Sequence, residues 1–310
     1  MEILLVLAIA IAVDLALGEP PRIIHPVVWM GKVAAFLERG SNNQRPLARF
    51  LYGVGMVLVI MWFFIVPAYF ILLYLKGFSF PAYLIVGALF LKATFSLKEL
   101  RLTALRFKGF LLRDKLNEAR FELRSLVSRD TQKLSESLLI SATVESVAES
   151  TCDSFIAPLF YFLLLGIPGA IGYRVINTMD AMIGYHGKYE HLGKFIARLD
   201  DVLNFIPARI TALLIVLASF LSGRDGRASL QIAISEHSKT ESPNAGWPIA
   251  AMAGALNVQL KKVGHYKLGK ANHQLGPEII DASLTLMQIA ILAWVLICFA
   301  IGVVHFVITS

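Results

Sequence analysis

Residues 145–185 read ESVAESTCDSFIAPLFYFLLLGIPGAIGYRVINTMDAMIGY. Polar and acidic side chains fill the first positions, and the chain then carries no charge for the twenty residues Ser154–Tyr173. That length suffices to cross a hydrocarbon layer about 30 Å thick. Pro158, Gly166, Pro168 and Gly169 interrupt the run. Two architectures follow: a single spanning helix, or a broken, re-entrant segment whose freed backbone groups are satisfied by protein or water. If the run crosses in one piece, loop 174–205 lies on the face opposite Glu145–Asp153. If it folds back, the polar clusters flanking it can meet at one face.

The rest of the chain sets the solvent. Of 310 residues, 56% are hydrophobic and 16% charged, against about 45–50% and 25% in soluble domains. The expectation is an all-α integral membrane protein, one polytopic domain over 1–310, with no linker or internal repeat to divide it. A net charge of +7 reports topology first in such a chain. Nucleic-acid binding would need a basic stripe with stacking aromatics, which is missing. Cys152 and Cys298 are too far apart in sequence, and too few, to suggest a disulfide framework.

Five to six membrane segments are expected, at about 3–17, 50–75, 82–97, 154–173, 206–222 and 282–308, with soluble helical segments at 98–153 and 224–281. The first is read as uncleaved, because Glu2 occupies the n-region and Asp14 interrupts the apolar core. Phe50–Leu75 is uncharged for 26 residues, whereas Ala82–Leu97 is broken by Lys92. The flanking segments carry five and ten Lys/Arg, which places both on the cytoplasmic side. The segment 224–281 carries seven Lys/Arg, and 174–205 only four.

Several groups carry potential chemistry. Glu145, Glu149 and Asp153 stand at i, i+4 and i+8 and would share one helix face, where like charges repel. A divalent cation would relieve this, since Mg²⁺ takes one or two carboxylates plus substrate phosphates. A solvated helix end paired with Arg124 or Arg129 would do the same. Asn177 with Asp180, and Asp200 and Asp201 with Asn204, border apolar runs between Arg198 and Arg209. They form either a functional site or a salt-bridge network such as Asp201 with Arg198. His25 precedes Pro26 in RIIHPVVWMGK and reads as a structural loop histidine or a base. In SPNAGWP, Ser242 and Asn244 are candidate caps for a helix over Ile249–Leu260. No phosphate-binding glycine loop, zinc spacing or serine-hydrolase elbow is present.

Taken together, DLALGEPPRIIHPVVWMGK, SRDTQKLSES, the stretch quoted above, ARLDDVLNFIPARITALL and SPNAGWPIAAMAGAL resemble the CobD/CbiB family of cobalamin biosynthesis, in order over nearly the whole chain. Ser150 stands where that family usually has Asn, and Lys261-Lys262 where Gly-Gly is usual. The resemblance implies an adenosylcobinamide-phosphate synthase, an ATP-dependent acid–amine ligase in the cytoplasmic (inner) membrane with its active site on the cytoplasmic side. Its substrates would be adenosylcobyric acid and (R)-1-aminopropan-2-yl phosphate, with Mg²⁺ and ATP, and cobalt only inside the corrinoid. Other corrinoid-pathway enzymes are candidate partners.

On that reading Glu145, Glu149, Asp153 and Asp200 or Asp201 hold Mg²⁺. Lys32, Arg198 and Arg209 contact phosphate oxygens. Asp180 or His25 takes a proton from the attacking ammonium, with Asp201 in the catalytic set. Asn177, Asn204 and Asn244 read corrin amides. The competing class is a transporter, sensor or scaffold for an anionic metabolite. A transporter would be expected to show repeated halves or paired broken helices, and only one broken segment is visible.

Overall fold

The computed structural model describes residues 2–41, 45–127, 129–185 and 187–309. The basic loop before Pro46 and the SRDTQKLSES block therefore lie partly outside the described residues.

In chain order the helices are α1 (Glu2–Leu17), α2 (Pro26–Arg39), α3 (Pro46–Phe78), α4 (Phe80–Lys92), α5 (Lys98–Leu111), α6 (Leu116–Leu123) and α7 (Glu136–Thr151). A π-helical turn (Cys152–Ile156) leads into α8 (Ala157–Ile183), followed by α9 (Lys194–Leu221), α10 (Gly226–Glu236) and α11 (Gly246–Leu256). An antiparallel hairpin of β1 (Leu260–Lys262) and β2 (Tyr266–Leu268) precedes α12 (Pro277–Thr309). Among the described residues, four helical stretches are long and apolar enough to cross a membrane: Pro46–Phe78, Glu136–Ile183, Lys194–Leu221 and Pro277–Ile308. In α3 and α12 the apolar windows are only 28% and 22% buried. Apolar surface of that extent on a monomer needs a non-aqueous partner, and here lipid supplies it. The chain is an all-α membrane protein apart from its small hairpin.

The chain divides into two compact units, one of Met1–Ser96, Ala157–Leu203 and Cys298–Ser310, the other of Leu97–Ile156 and Asn204–Ile297.

In the first unit, α3 and α4 form a hairpin that packs on α1 and α8. Its central feature is a reversal inside α8. Gly166 has φ 69° and ψ −161°, a conformation essentially confined to glycine. Beyond it the chain turns back. Tyr161 and Tyr173 stack with centroids 5.3 Å apart, although twelve residues of straight helix would separate them by about 18 Å. A Cβ on Gly169 would strike the Tyr161 carbonyl, so that glycine lets the two arms close. Of the two architectures the broken one is realised: 157–165 and 167–183 are arms of one helical hairpin. Pro168 sits in the first turn of the returning arm, where its missing N–H has little consequence.

Other expectations shift. Within 98–153, α7 begins at Glu136 with eleven of its sixteen residues buried, as the first part of the helical stretch Glu136–Ile183. The segment 206–222 belongs to the 28-residue α9. α4 stops at Lys92, short of Leu97. The segment 224–281 is not wholly helical, because β1 and β2 interrupt it. The helix expected at Ile249–Leu260 runs Gly246–Leu256 and ends at Asn257 in a left-handed conformation (φ 53°).

In the second unit α5, α6 and α7 pack together, α7 also meets β1 and α11, and α10 packs on α11.

Candidate functional site

In the second unit, the first cluster is built on α7. Glu145 is 4% exposed, and its carboxylate is fully engaged. Ser141 donates to Oε1 at 2.6 Å, while Arg129 at 2.9 Å and the Tyr266 hydroxyl at 2.8 Å share Oε2. A buried carboxylate needs this much compensation. The remaining polar ladder closes on itself in the same way: Thr143 and Thr151 donate one helical turn back, and Ser146 donates to the Leu126 carbonyl. Of the two alternatives for the acids, Glu145 shows the arginine pairing, with Arg129.

Glu149, exposed, lines a cavity of about 110 Å³ with Glu145, Arg129, Lys262 and Tyr266. Asp153 does not line it. Asp153 stands in the π turn Cys152–Ile156 that follows α7. Burial, and next the charge of Glu145, push the Tyr266 phenol well above its usual pKa. It therefore remains a donor.

The second cluster joins two residues expected to bind substrate. Arg209 of α9 donates to Asn244 Oδ1 at 3.3 Å and to the Phe205 carbonyl at 2.6 Å. Its guanidinium lies 3.6 Å above the Phe205 ring and 5.0 Å from that of Trp247. His237 stacks on Trp247 at 3.9 Å. Burial first, and the neighbouring Arg209 charge second, lower the His237 pKa. Asn244 is 4% exposed and is placed by Ser242, whose hydroxyl accepts from the Asn244 and Ala245 amides. The Trp247 indole N–H is buried with no hydrogen-bond partner among the described residues. A planar cation held between aromatic faces, beside an amide and an open donor, suits phosphate or amide oxygens. Asn204, 3% exposed, stands apart with its Oδ1 4.0 Å from the Cys152 sulfur.

In the first unit, His25 caps α2. Its Nδ1 accepts from the Val27 amide at 3.2 Å, so the proton sits on Nε2, which donates to Glu19 at 2.6 Å. Lys92 contacts Glu19 at 2.7 Å and Asp14 at 3.0 Å. Lys92 and Asp14 are 4% and 1% exposed. Burial would raise the Glu19 carboxyl, but hydrogen bonds from His25 and Lys92 outweigh it and hold it at about 2. Asp14 and Lys92 each interrupt an apolar run in the sequence. Their signs were the signal that they meet.

Elsewhere in that unit, Arg174 donates to Asn177 at 3.4 Å. Asp180 is half-buried against Gly184, where an added Cβ would strike its carboxylate. Asp200 is half-buried, Lys32 exposed, and Asp201 lies 3.9 Å from the exposed Arg198. Among the described residues no three His, Cys, Asp or Glu side chains are grouped to hold a metal ion.

The chain matches the family model described as "CobD/Cbib protein" over residues 7–303. It is 50% identical over 306 residues to the cobalamin biosynthesis protein CobD of Dehalococcoides mccartyi, covering 99% of each chain. A probable cobalamin biosynthesis protein CobD of Methanothermobacter thermautotrophicus is 42% identical over 93% of this chain and 96% of its own. A Pyrococcus furiosus protein described in the same words is 44% identical over 84% and 86%. No solved structure matches.

Proposed function

The chain belongs to the CobD/CbiB family of cobalamin biosynthesis, and from that premise we propose that it is an adenosylcobinamide-phosphate synthase. ATP phosphorylates a propionate carboxylate of adenosylcobyric acid, releasing ADP. The amine of (R)-1-aminopropan-2-yl phosphate, having lost a proton, attacks the acyl phosphate, and inorganic phosphate leaves as the amide forms. Such a reaction calls for cations and donors aimed at phosphate oxygens and for groups that read amides.

The observation that carries this reading is the Arg209–Asn244 pair against Phe205 and Trp247. It presents a fork of donors on a stacked plane, suited to a phosphorylated or amide-rich ligand. Glu149 is the α7 acid assigned to the reacting phosphates, and Glu145 is a positioning residue that fixes Arg129 and Tyr266. Mg²⁺ enters as the chelate of ATP. His25, with both ring nitrogens engaged, is assigned to capping α2, and Asp180 and Asp201 are each tested as the base by substitution. Asn177, Asn204, Lys32, Arg198, Asp153, Asp200 and Asp201 are tested one by one by substitution.

The experiment reconstitutes purified protein in vesicles with adenosylcobyric acid, aminopropanol phosphate and Mg-ATP. Amide product supports the synthase. Uptake of labelled substrate with no amide supports the transporter alternative and overturns it.

A further inference from the structure

The β1–β2 hairpin carries a basic cleft that the clusters described above do not account for. Lys261 pairs directly with Lys267, and Lys262 with Tyr266, in antiparallel register. Like charges set opposite one another destabilise a two-stranded ribbon. Here they face each other on a ribbon only three residues long per strand. The cleft they line has a volume of about 560 Å³ and includes Lys239 and His265, a size that takes a small ligand. The acids at its rim are already taken: Glu236 by Lys239 at 3.0 Å and by the Gly269 amide at 2.8 Å, Glu241 by His265 at 2.8 Å. Lys261, Lys262 and Lys267 make no ion pair among the described residues. Lys261 and Lys267 share one face of the ribbon and line this cleft together with Lys262, which also lines the cavity beside Glu149.

The hairpin is held firmly at its root. The Lys261 amide donates to Ser141 at 2.7 Å, and Tyr266 donates to Glu145. The lysine stems therefore project from a fixed backbone, and ordering them around a ligand costs less than it would on a loop. Compact ammonium point charges suit a chain of phosphates, which presents several anionic oxygens at once.

We infer that the cleft binds the polyphosphate chain of a nucleoside triphosphate, an assignment that rests on the ATP-dependent reading of the reaction. Lys261, Lys262 and Lys267 contact the phosphate oxygens, Lys239 and His265 close the rim, and Tyr266 joins the site to the Glu145 cluster.

The test uses full-length protein in nanodiscs of neutral lipid, with inorganic tripolyphosphate, Mg-ATP and, separately, anionic-lipid vesicles as probes. Lys261→Ala/Lys267→Ala should weaken tripolyphosphate and Mg-ATP binding roughly thirtyfold or more through lost charged contacts. Lys261→Arg/Lys267→Arg should retain most of the binding. Without ligand the alanine pair should unfold at the same or a higher temperature, because a like-charge pair is relieved. Its loss of ligand-induced stabilisation then reports binding and not folding. Unchanged tripolyphosphate affinity in the alanine pair overturns the inference, as does a loss confined to anionic vesicles, which marks a headgroup contact. If amide synthesis proceeds with ATP while the alanine pair keeps wild-type KM for ATP, the cleft assignment fails and the synthase reading stands. If tripolyphosphate binding depends on the lysines but no amide forms, the synthase reading fails and the site stands.

Discussion

Tyr161 stacks nearly parallel on Tyr173, the planes 13° apart, across the reversal at Gly166. The contact is impossible on a continuous helix, so it defines α8 as two antiparallel arms joined by one glycine. Gly166→Ala places a Cβ where φ is 69° and should lower stability by about 1–3 kcal/mol, read as a fall in the unfolding temperature in detergent. Pro168→Ala, at a position that tolerates either residue, should change it far less. Equal effects would mean that the glycine conformation is not what holds the turn.

The hairpin also fixes sidedness within the first unit. Lys188 reaches Glu38 at 3.0 Å, and Arg49 donates to the Lys188 carbonyl at 2.6 Å. The α8–α9 loop therefore lies at the α2–α3 end of that unit. Cysteines introduced at Lys188 and Arg39 should label from the same side of the membrane, and one at Gly77 from the other. Labelling of Lys188 together with Gly77 would contradict the fold.

The Lys92 cluster predicts a pH dependence. Glu19 has a folded pKa of about 2 against an ordinary 4.5. A depressed carboxylate stabilises the fold above its unfolded value and loses that contribution as pH falls through the folded one. Between about pH 4.5 and 2 the protein should lose roughly 3 kcal/mol of stability through this group. In Glu19→Gln that acid-dependent step should vanish from thermal unfolding curves. A step of unchanged size would assign it to other carboxylates.

The Glu145 cluster separates pairing from mere polarity. Arg129→Ala leaves a buried carboxylate without its cation and should destabilise by about 3–5 kcal/mol. Tyr266→Phe removes one charged hydrogen bond and should cost about 1.5–3 kcal/mol. A double-mutant cycle between Arg129 and Glu145 that returns no coupling would show the pair to be incidental.

Much of this was legible in the residues. The unbroken apolar run of α3 and the Gly166–Gly169 interruption in α8 each specify a local outcome, whereas Ser242 and Asn244 do not cap α11, whose N-cap is Ala245 with no side-chain hydrogen bond. Arg209 and Asn244 were both read as substrate-binding and do come together. The burial of α7 was not legible. A polar ladder looks alike whether water or protein satisfies it, and here the satisfying groups, Arg129 and Tyr266, stand 16 and 121 positions from Glu145. The β hairpin escaped because strands of three residues are too short to show an alternating pattern. The π turn that contains Asp153 has no sequence signature of its own.

For the Arg209 cluster, Arg209→Lys keeps the charge but loses the planar fork stacked on Phe205 and Trp247. Steady-state amide synthesis should fall in kcat/KM by about tenfold or more, with folding unchanged. Wild-type kinetics would remove Arg209 from the site.

The most direct test of the account follows oxygen. Adenosylcobyric acid labelled with ¹⁸O in the reacting carboxylate is incubated with aminopropanol phosphate, Mg-ATP and the purified protein. The account predicts adenosylcobinamide phosphate, one ADP per amide, and one ¹⁸O transferred to inorganic phosphate. Amide formed without ATP cleavage, label appearing in AMP, or no amide from folded protein would contradict it.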